Sequence, residues 1–127
     1  MRIIIAGGRD FNNYEFLKEK CNKIIESLNY NKKLSDIEII SGDAIGADTL
    51  GKKFAKEMNY RLVSMPAKWN LYGRSAGYIR NEKMRDYAKI DPDYSMLIAF
   101  WDGKSKGTKS MINLGKEELS KVEIINY

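Results

Sequence analysis

Short apolar runs alternate with amphipathic helical stripes along the whole chain, and that alternation leaves few folds open. Ile3-Ile4-Ile5-Ala6 reads as a buried strand closed by Gly7-Gly8, and Leu17, Cys21, Ile24, Ile25 and Leu28 then mark one face of a helix over 14–28. The pattern repeats with a strand at 37–40 and a helix over 47–58, on which Ala47, Leu50, Phe54 and Met58 share a side. A strand at 61–65 ends at Pro66, a long loop follows, and a helix spans 77–88. A central strand at 94–100, a helix over 108–119 and a short strand at 122–125 complete the series, with Pro92 beside the start of the fourth strand. Strands that alternate with helices require right-handed crossovers, hence an α/β fold whose parallel sheet is covered on both faces. No linker, repeat or low-complexity tract interrupts the 127 residues, which are expected to form one domain.

In such a sheet every strand-to-helix loop emerges at the carboxyl edge, where ligands bind at the reversal of strand order. The unusual residues fall in those loops. Gly7-Gly8-Arg9-Asp10 follows the first strand, Ser41-Gly42-Asp43-Ala44-Ile45-Gly46-Ala47-Asp48 the second, 66–81 the third and 101–108 the fourth. The opposite edge carries ordinary polar turns such as Asn29-Tyr30-Asn31-Lys32-Lys33.

Composition narrows the chemistry. The chain has no histidine and one cysteine, so zinc sites of the Cys/His kind and histidine-assisted nucleophiles are excluded, and no metal site is expected. Cys21, at helical spacing among apolar residues, reads as a packed thiol. Catalysis, if any, rests on carboxylates, Arg, Lys or Tyr. The net charge of +5 suggests an anionic partner, but Lys and Glu are interspersed without a block of like charge. A small phosphate-bearing ligand held by loops is therefore expected, rather than nucleic acid. No apolar run is long enough to cross a bilayer, and the N-terminus reads as a strand rather than a signal peptide, so no membrane contact and a cytoplasmic location are expected.

Each loop has a functional and a plainer reading. Gly7 and Gly8 allow close backbone approach to a ligand, with Arg9 and Asp10 beside them; a tight turn needs the same glycines. Ser41 and Gly42 open a second small-residue loop, in which Asp48 is placed either to cap the following helix or to bind a ribose hydroxyl. In the third loop Trp69 and Tyr72 are candidates to stack on a base, as is Trp101 in the fourth; Arg74 or Arg80, with Asn81 beside it, is placed to grip a phosphate. Trp69 has the alternative of covering an apolar edge. Gly103, Lys104, Ser105, Lys106, Gly107 and Thr108 lead into a helix whose free amides favour an anion, although a solvated lysine turn capped by Thr108 has the same composition. Arg80 is read as a surface group, and Gly107 as a place for close approach or positive φ.

Taken together, the loops resemble the YspA-like branch of the SLOG superfamily, whose wider membership includes cytokinin-producing phosphoribohydrolases (LOG) and the DNA-uptake protein DprA. The resemblance rests on Gly7-Gly8-Arg9-Asp10, on Gly42-x-x-x-Gly46-Ala47-Asp48, on Pro66-Ala67-x-Trp69-x-x-x-Gly73-x-x-Ala76-Gly77-x-x-Arg80-Asn81-x-x-Met84, and on Gly107-Thr108. It implies a single SLOG-like domain over 1–127: a Rossmann-like three-layer sandwich with a mainly parallel sheet of about five strands flanked by helices. It also implies a nucleotide-type ligand, of the ADP-ribose or cyclic-nucleotide kind, and self-association into a homo-oligomer. Arg80 with Met84 matches the arginine helix of the phosphoribohydrolases, and Gly107-Thr108 the end of their phosphate loop. Trp101-Asp102-Gly103 departs from their Pro-Gly-Gly, and Met111 replaces the glutamate tied to glycosidic cleavage, which argues against an enzyme. Asp10, Asp43, Asp48 and Asp102 are the carboxylates that could substitute. The implied role is a sensor or sequestering protein, such as a phage-encoded sponge acting against nucleotide-based defence. A nucleotide N-glycosidase or phosphoribohydrolase is the alternative, and a single-stranded DNA binder the third.

Overall fold

The computed structural model describes residues 1–28, 36–91 and 94–127; the polar turn expected at 29–33 and Pro92 lie outside the described residues. Among the described residues there are five strands: β1 (Arg2–Gly7), β2 (Glu38–Ser41), β3 (Arg61–Ser64), β4 (Ser95–Trp101) and β5 (Lys121–Asn126). They form one sheet in the order β3-β2-β1-β4-β5, and every pairing is parallel. The helices are α1 (Tyr14–Ser27), α2 (Ala47–Glu57), α3 (Trp69–Tyr72), α4 (Ala76–Lys89) and α5 (Lys106–Glu118). This is the three-layer, Rossmann-like arrangement expected from the alternation. Among the described residues no helix is long and apolar enough to cross a membrane.

Successive strand residues point to opposite faces, and the sheet sorts its apolar side chains that way. Ile3, Ile5, Ile39, Met96, Ile98 and Phe100 pack under α1 and α2, against Leu17, Cys21 and Phe54. Ile4, Ala6, Ile40, Leu97 and Ala99 pack under α4 and α5, against Met84, Ala88, Met111 and Ile112. A strand buried on both faces needs a continuous apolar run rather than alternation, which is why Ile3-Ile4-Ile5 and Met96-Leu97-Ile98 occupy the interior of the sheet.

Local chemistry sets the helix ends. Asn13 caps α1 by accepting the Phe16 N–H at 3.1 Å. The third connection differs from the loop expected at 66–77. Leu71 and Tyr72 N–H both donate to the Lys68 carbonyl, making the single turn α3, and Gly73 ends it at φ 56°. A 3₁₀ turn over Gly73–Ser75 then runs into α4. The α5 cap also differs. Ser105 accepts the Thr108 N–H, so the helix begins at Lys106 and Thr108 lies inside its first turn. Gly107 is accordingly helical, without positive φ, and a Cβ there would meet nothing within 4 Å.

Candidate functional site

Strand order reverses between β1 and β4: the chain moves from β1 outward to β2 and β3, and from β4 outward to β5. The crevice this opens at the carboxyl edge is the place a parallel α/β sheet offers to a ligand. Gly8 knits it together, its N–H donating to Phe100 O at 3.0 Å and its carbonyl accepting the Ala47 N–H at 3.1 Å. The loop after β2 can press this closely only because residue 46 is glycine. Gly46 has φ 86°, and a Cβ there would lie 2.3 Å from Gly8 O. Above the two loops is a cavity of about 470 Å³.

Its floor is an acid–base pair. Asp48, on the first turn of α2, is only 4% exposed. It does not cap the helix; Gly46 holds that position without a side-chain bond, and Asp48 Oδ2 instead accepts the Ala44 N–H at 3.2 Å. Arg80 reaches across from α4, its side chain 13% exposed, and Nη1 stands 4.0 Å from Asp48 Oδ2. Nη1 donates to Gly42 O at 2.6 Å and Nε to Asn81 Oδ1 at 3.1 Å, so Arg80 is built into the floor rather than lying on the surface. Gly42 leaves room for it, since a Cβ there would lie 2.6 Å from Nη1. Burial pushes the Asp48 carboxyl up to about 6 against the pull of Arg80 and of the Ala44 amide, and burial also lowers the pKa of Arg80. Ser41, fully buried, donates from Oγ to Asp48 O at 3.0 Å and accepts the Asp43 N–H, which makes it a support beneath the floor.

The α5 side is organised by Asp102. Its Oδ1 accepts the Ser105 and Lys104 N–H groups, each at 2.8 Å, and these bonds hold the carboxyl below its ordinary pKa. Trp101 Nε1 donates to Ser105 O at 3.0 Å, and Asn81 Nδ2 donates to Gly107 O at 3.3 Å. Ser105, Gly107, Thr108 and Met111 line the cavity here. The mouth is formed by Arg9, Trp69, Arg74 and Tyr78. The Arg9 guanidinium is 5.7 Å from the Trp69 ring centre, at the outer end of a cation–π contact. Asp10 accepts the Tyr127 hydroxyl at 2.6 Å.

The structure thus brings together Gly7, Gly8, Arg9, Asp10, Asp48, Trp69, Arg74, Arg80, Asn81, Ser105, Gly107 and Thr108 around one cavity. Ser41, Gly42, Trp101, Gly103, Lys104 and Lys106 are not in its lining. Gly103 turns the loop at φ 83°, and Lys104 and Lys106 are exposed. Of the candidate substitute carboxylates, Asp43 is outside the cavity, its Oδ1 held near Lys52 Nζ at 2.8 Å by charge rather than an aligned hydrogen bond. Tyr78, 46% exposed, was not signalled by the motifs. The cue is an aromatic residue directly after Gly77 in the first turn of α4. Among the described residues no cluster of acidic or cysteine side chains is arranged to hold a metal.

The sequence model of the YAcAr family, described as YspA, cpYpsA-related SLOG proteins, matches residues 1–72. The chain belongs to this family. In this YAcAr protein the match takes in β1, β2, β3, the loops that carry Gly8 and Gly46, and α2 with Asp48, together with Trp69. The α4 and α5 walls, with Arg80 and Gly107-Thr108, lie beyond it. No curated protein and no solved structure matches the chain.

Proposed function

We propose that the cavity binds a nucleotide or nucleotide-derived signal of the ADP-ribose or cyclic-nucleotide type, and that the protein acts as a sensor or a sequestering protein. The observation that carries this reading is a pair of guanidinium groups in the cavity lining, Arg9 and Arg74, that form no ion pair among the described residues. Three arginines and three aspartates line the cavity. Each aspartate already has an oxygen engaged: Asp10 by Tyr127, Asp48 by Ala44, Asp102 by two amides. An incoming group therefore meets uncommitted guanidinium, which favours phosphate. The start of α5 favours the same charge, and the half-exposed rings of Trp69 and Tyr78 offer surfaces to a base. Nucleotide-related binding in SLOG proteins is consistent with this.

A sequestering protein works by mass action and needs no further machinery; a sensor needs a partner to read its bound state. Denaturing the purified protein and weighing the released small molecules tests the reading. A nucleotide mass is expected from the wild type and not from an Arg9→Ala/Arg74→Ala variant. If no nucleotide is released and none of a nucleotide panel raises the melting temperature, the reading is wrong.

One observation favours a second reading, a nucleotide N-glycosidase or phosphoribohydrolase. Asp48 lies in the cavity wall with a pKa near 6, the range that suits a general base. Against it, the buried thioether of Met111 lines the wall where a second carboxylate would serve the reaction. Release of free base from nucleoside monophosphates separates the two readings.

A further inference from the structure

Capture of an anion by Arg9, Arg74 and backbone amides makes no use of the cavity floor, and the ionised Asp48 would repel a phosphate placed against it. The floor nevertheless has bonding capacity left. Asp48 Oδ2 is occupied by the Ala44 amide, and Oδ1 has no hydrogen-bond partner among the described residues. Arg80 spends Nε on Asn81 and Nη1 on Gly42, leaving Nη2 without a partner among them. A Cβ on Gly77, a residue of the cavity wall, would lie 4.0 Å from that Nη2. The floor thus offers an acceptor and a donor on two side chains that approach to 4.0 Å, a pair whose charges cancel. A second phosphate would satisfy Arg80 and be repelled by Asp48; an amine would do the reverse. A hydroxyl group is neutral and both donates and accepts, and two adjacent hydroxyls fill both places.

The arrangement along the sheet edge says which hydroxyls these are. The start of α5 is at the β4 end of the crevice, and Asp48 is on the helix that follows β2. Trp69 and Tyr78, the rings available to a base, are at the mouth, 49% and 46% exposed, whereas Asp48 is deep. In a nucleotide the sugar joins phosphate to base. Resting on the nucleotide reading above, we infer that Asp48 and Arg80 receive the ribose 2′- and 3′-hydroxyls, so that the ligand is a ribonucleotide with its cis-diol free. Deoxynucleotides lack one of these contacts, and 3′,5′-cyclic nucleotides have the 3′ oxygen esterified. The site therefore selects ribonucleotides whose 2′- and 3′-hydroxyls are both free. Although burial raises Asp48 to about 6, it is still mostly ionised at pH 7.5 and so serves as an acceptor.

The test is calorimetric titration at pH 7.5 of the four ribonucleoside 5′-monophosphates and ADP-ribose, beside the 2′-deoxy monophosphates, 3′-deoxy-AMP and 3′,5′-cyclic AMP. The ribonucleotide that binds best should exceed its deoxy and cyclic counterparts by at least about tenfold, the usual worth of a hydrogen bond to a charged group. In Asp48→Asn that ratio should fall toward one, a change that merely loosening the floor would not produce, with melting curves reporting the fold. The wild-type ratio stands as a test without any variant. Equal binding of ribo and deoxy forms overturns this inference and leaves the nucleotide reading in place. Failure of every compound to bind overturns both.

Discussion

Arg80 Nη1 donates to the Gly42 carbonyl at 2.6 Å while standing 4.0 Å from Asp48 Oδ2, so one α4 side chain ties together the β2–α2 loop and the cavity floor. Removing it strands a carbonyl, the Asn81 amide oxygen and a buried carboxylate at once. Arg80→Ala is therefore expected to cost about 2–4 kcal/mol, the range for breaking a buried charged pair and its hydrogen bonds. Urea unfolding of both proteins measures it. A loss under about 0.5 kcal/mol, as at an exposed site, would mean that the pair is not formed.

Asp48 gives stability an unusual pH dependence. Its carboxyl is raised from 3.8 to about 6 in the folded protein, so the folded state binds a proton more tightly than the unfolded chain. The sign follows from linkage: this group's contribution is most favourable below pH 3.8 and declines as pH rises through about 6, the reverse of an ion-paired carboxylate. The gap corresponds to about 3 kcal/mol. Asp48→Asn should thus be more stable than wild type at pH 7.5 by an amount of that order, and the advantage should shrink toward pH 4. Denaturation at the two pH values measures the difference, and a variant less stable at both contradicts the assignment.

The alternation of apolar runs was enough to read the five strands and four longer helices, because strands buried on both faces and amphipathic helices each leave a direct pattern. Gly8, Gly46 and Asp48 were legible for a related reason: a loop that must press against another loop, or hold a carboxylate under it, needs those residue types. What the pattern could not give was side-chain direction. Trp101 has the composition of a stacking residue, but its Nε1 is spent on Ser105 O. Tyr78 lines the cavity through its place on α4, for which an aromatic residue directly after Gly77 is a weak cue. The turn α3 and the Ser105 cap leave no distinct pattern because Gly, Ser and Asn serve loops and helix starts alike. Arg80 reads as a surface group in the sequence because its Gly42 partner is set by tertiary contact, although Asn81 is its neighbour in the chain.

Gly46 is a strict requirement of this architecture. At φ 86° and with Gly8 O 2.3 Å from where a Cβ would lie, Gly46→Ala must open the contact between the first two loops. A loss of at least about 2 kcal/mol is expected, since strain and displacement add. A melting curve compared with that of Gly107→Ala is the check, because Gly107 has open space at the same atom. Equal effects of the two substitutions would contradict the loop packing.

Lys104 and Lys106 lie outside the cavity lining, whereas Arg9 and Arg74 are in it. Replacing both lysines should lower the association rate and its salt dependence only modestly, through the screened field. Replacing both arginines should weaken nucleotide binding by at least about tenfold, because charge-assisted hydrogen bonds to phosphate are lost. Stopped-flow titration at two salt concentrations distinguishes them, and a larger effect on affinity from the lysines would move the anion to the 103–106 turn.

The central claim is that nucleotides bind at the β1–β4 crevice, and an amide chemical-shift titration of the isotopically labelled protein with AMP and with ADP-ribose tests it most directly. Saturable shifts are expected at Gly7, Gly8, Asp48, Ser105 and Gly107, with both tryptophan indole signals resolved and that of Trp69 moving more than that of Trp101. Shifts confined to the groove of Phe11, Phe16 and Tyr127, or no saturable shifts at all, would contradict the account.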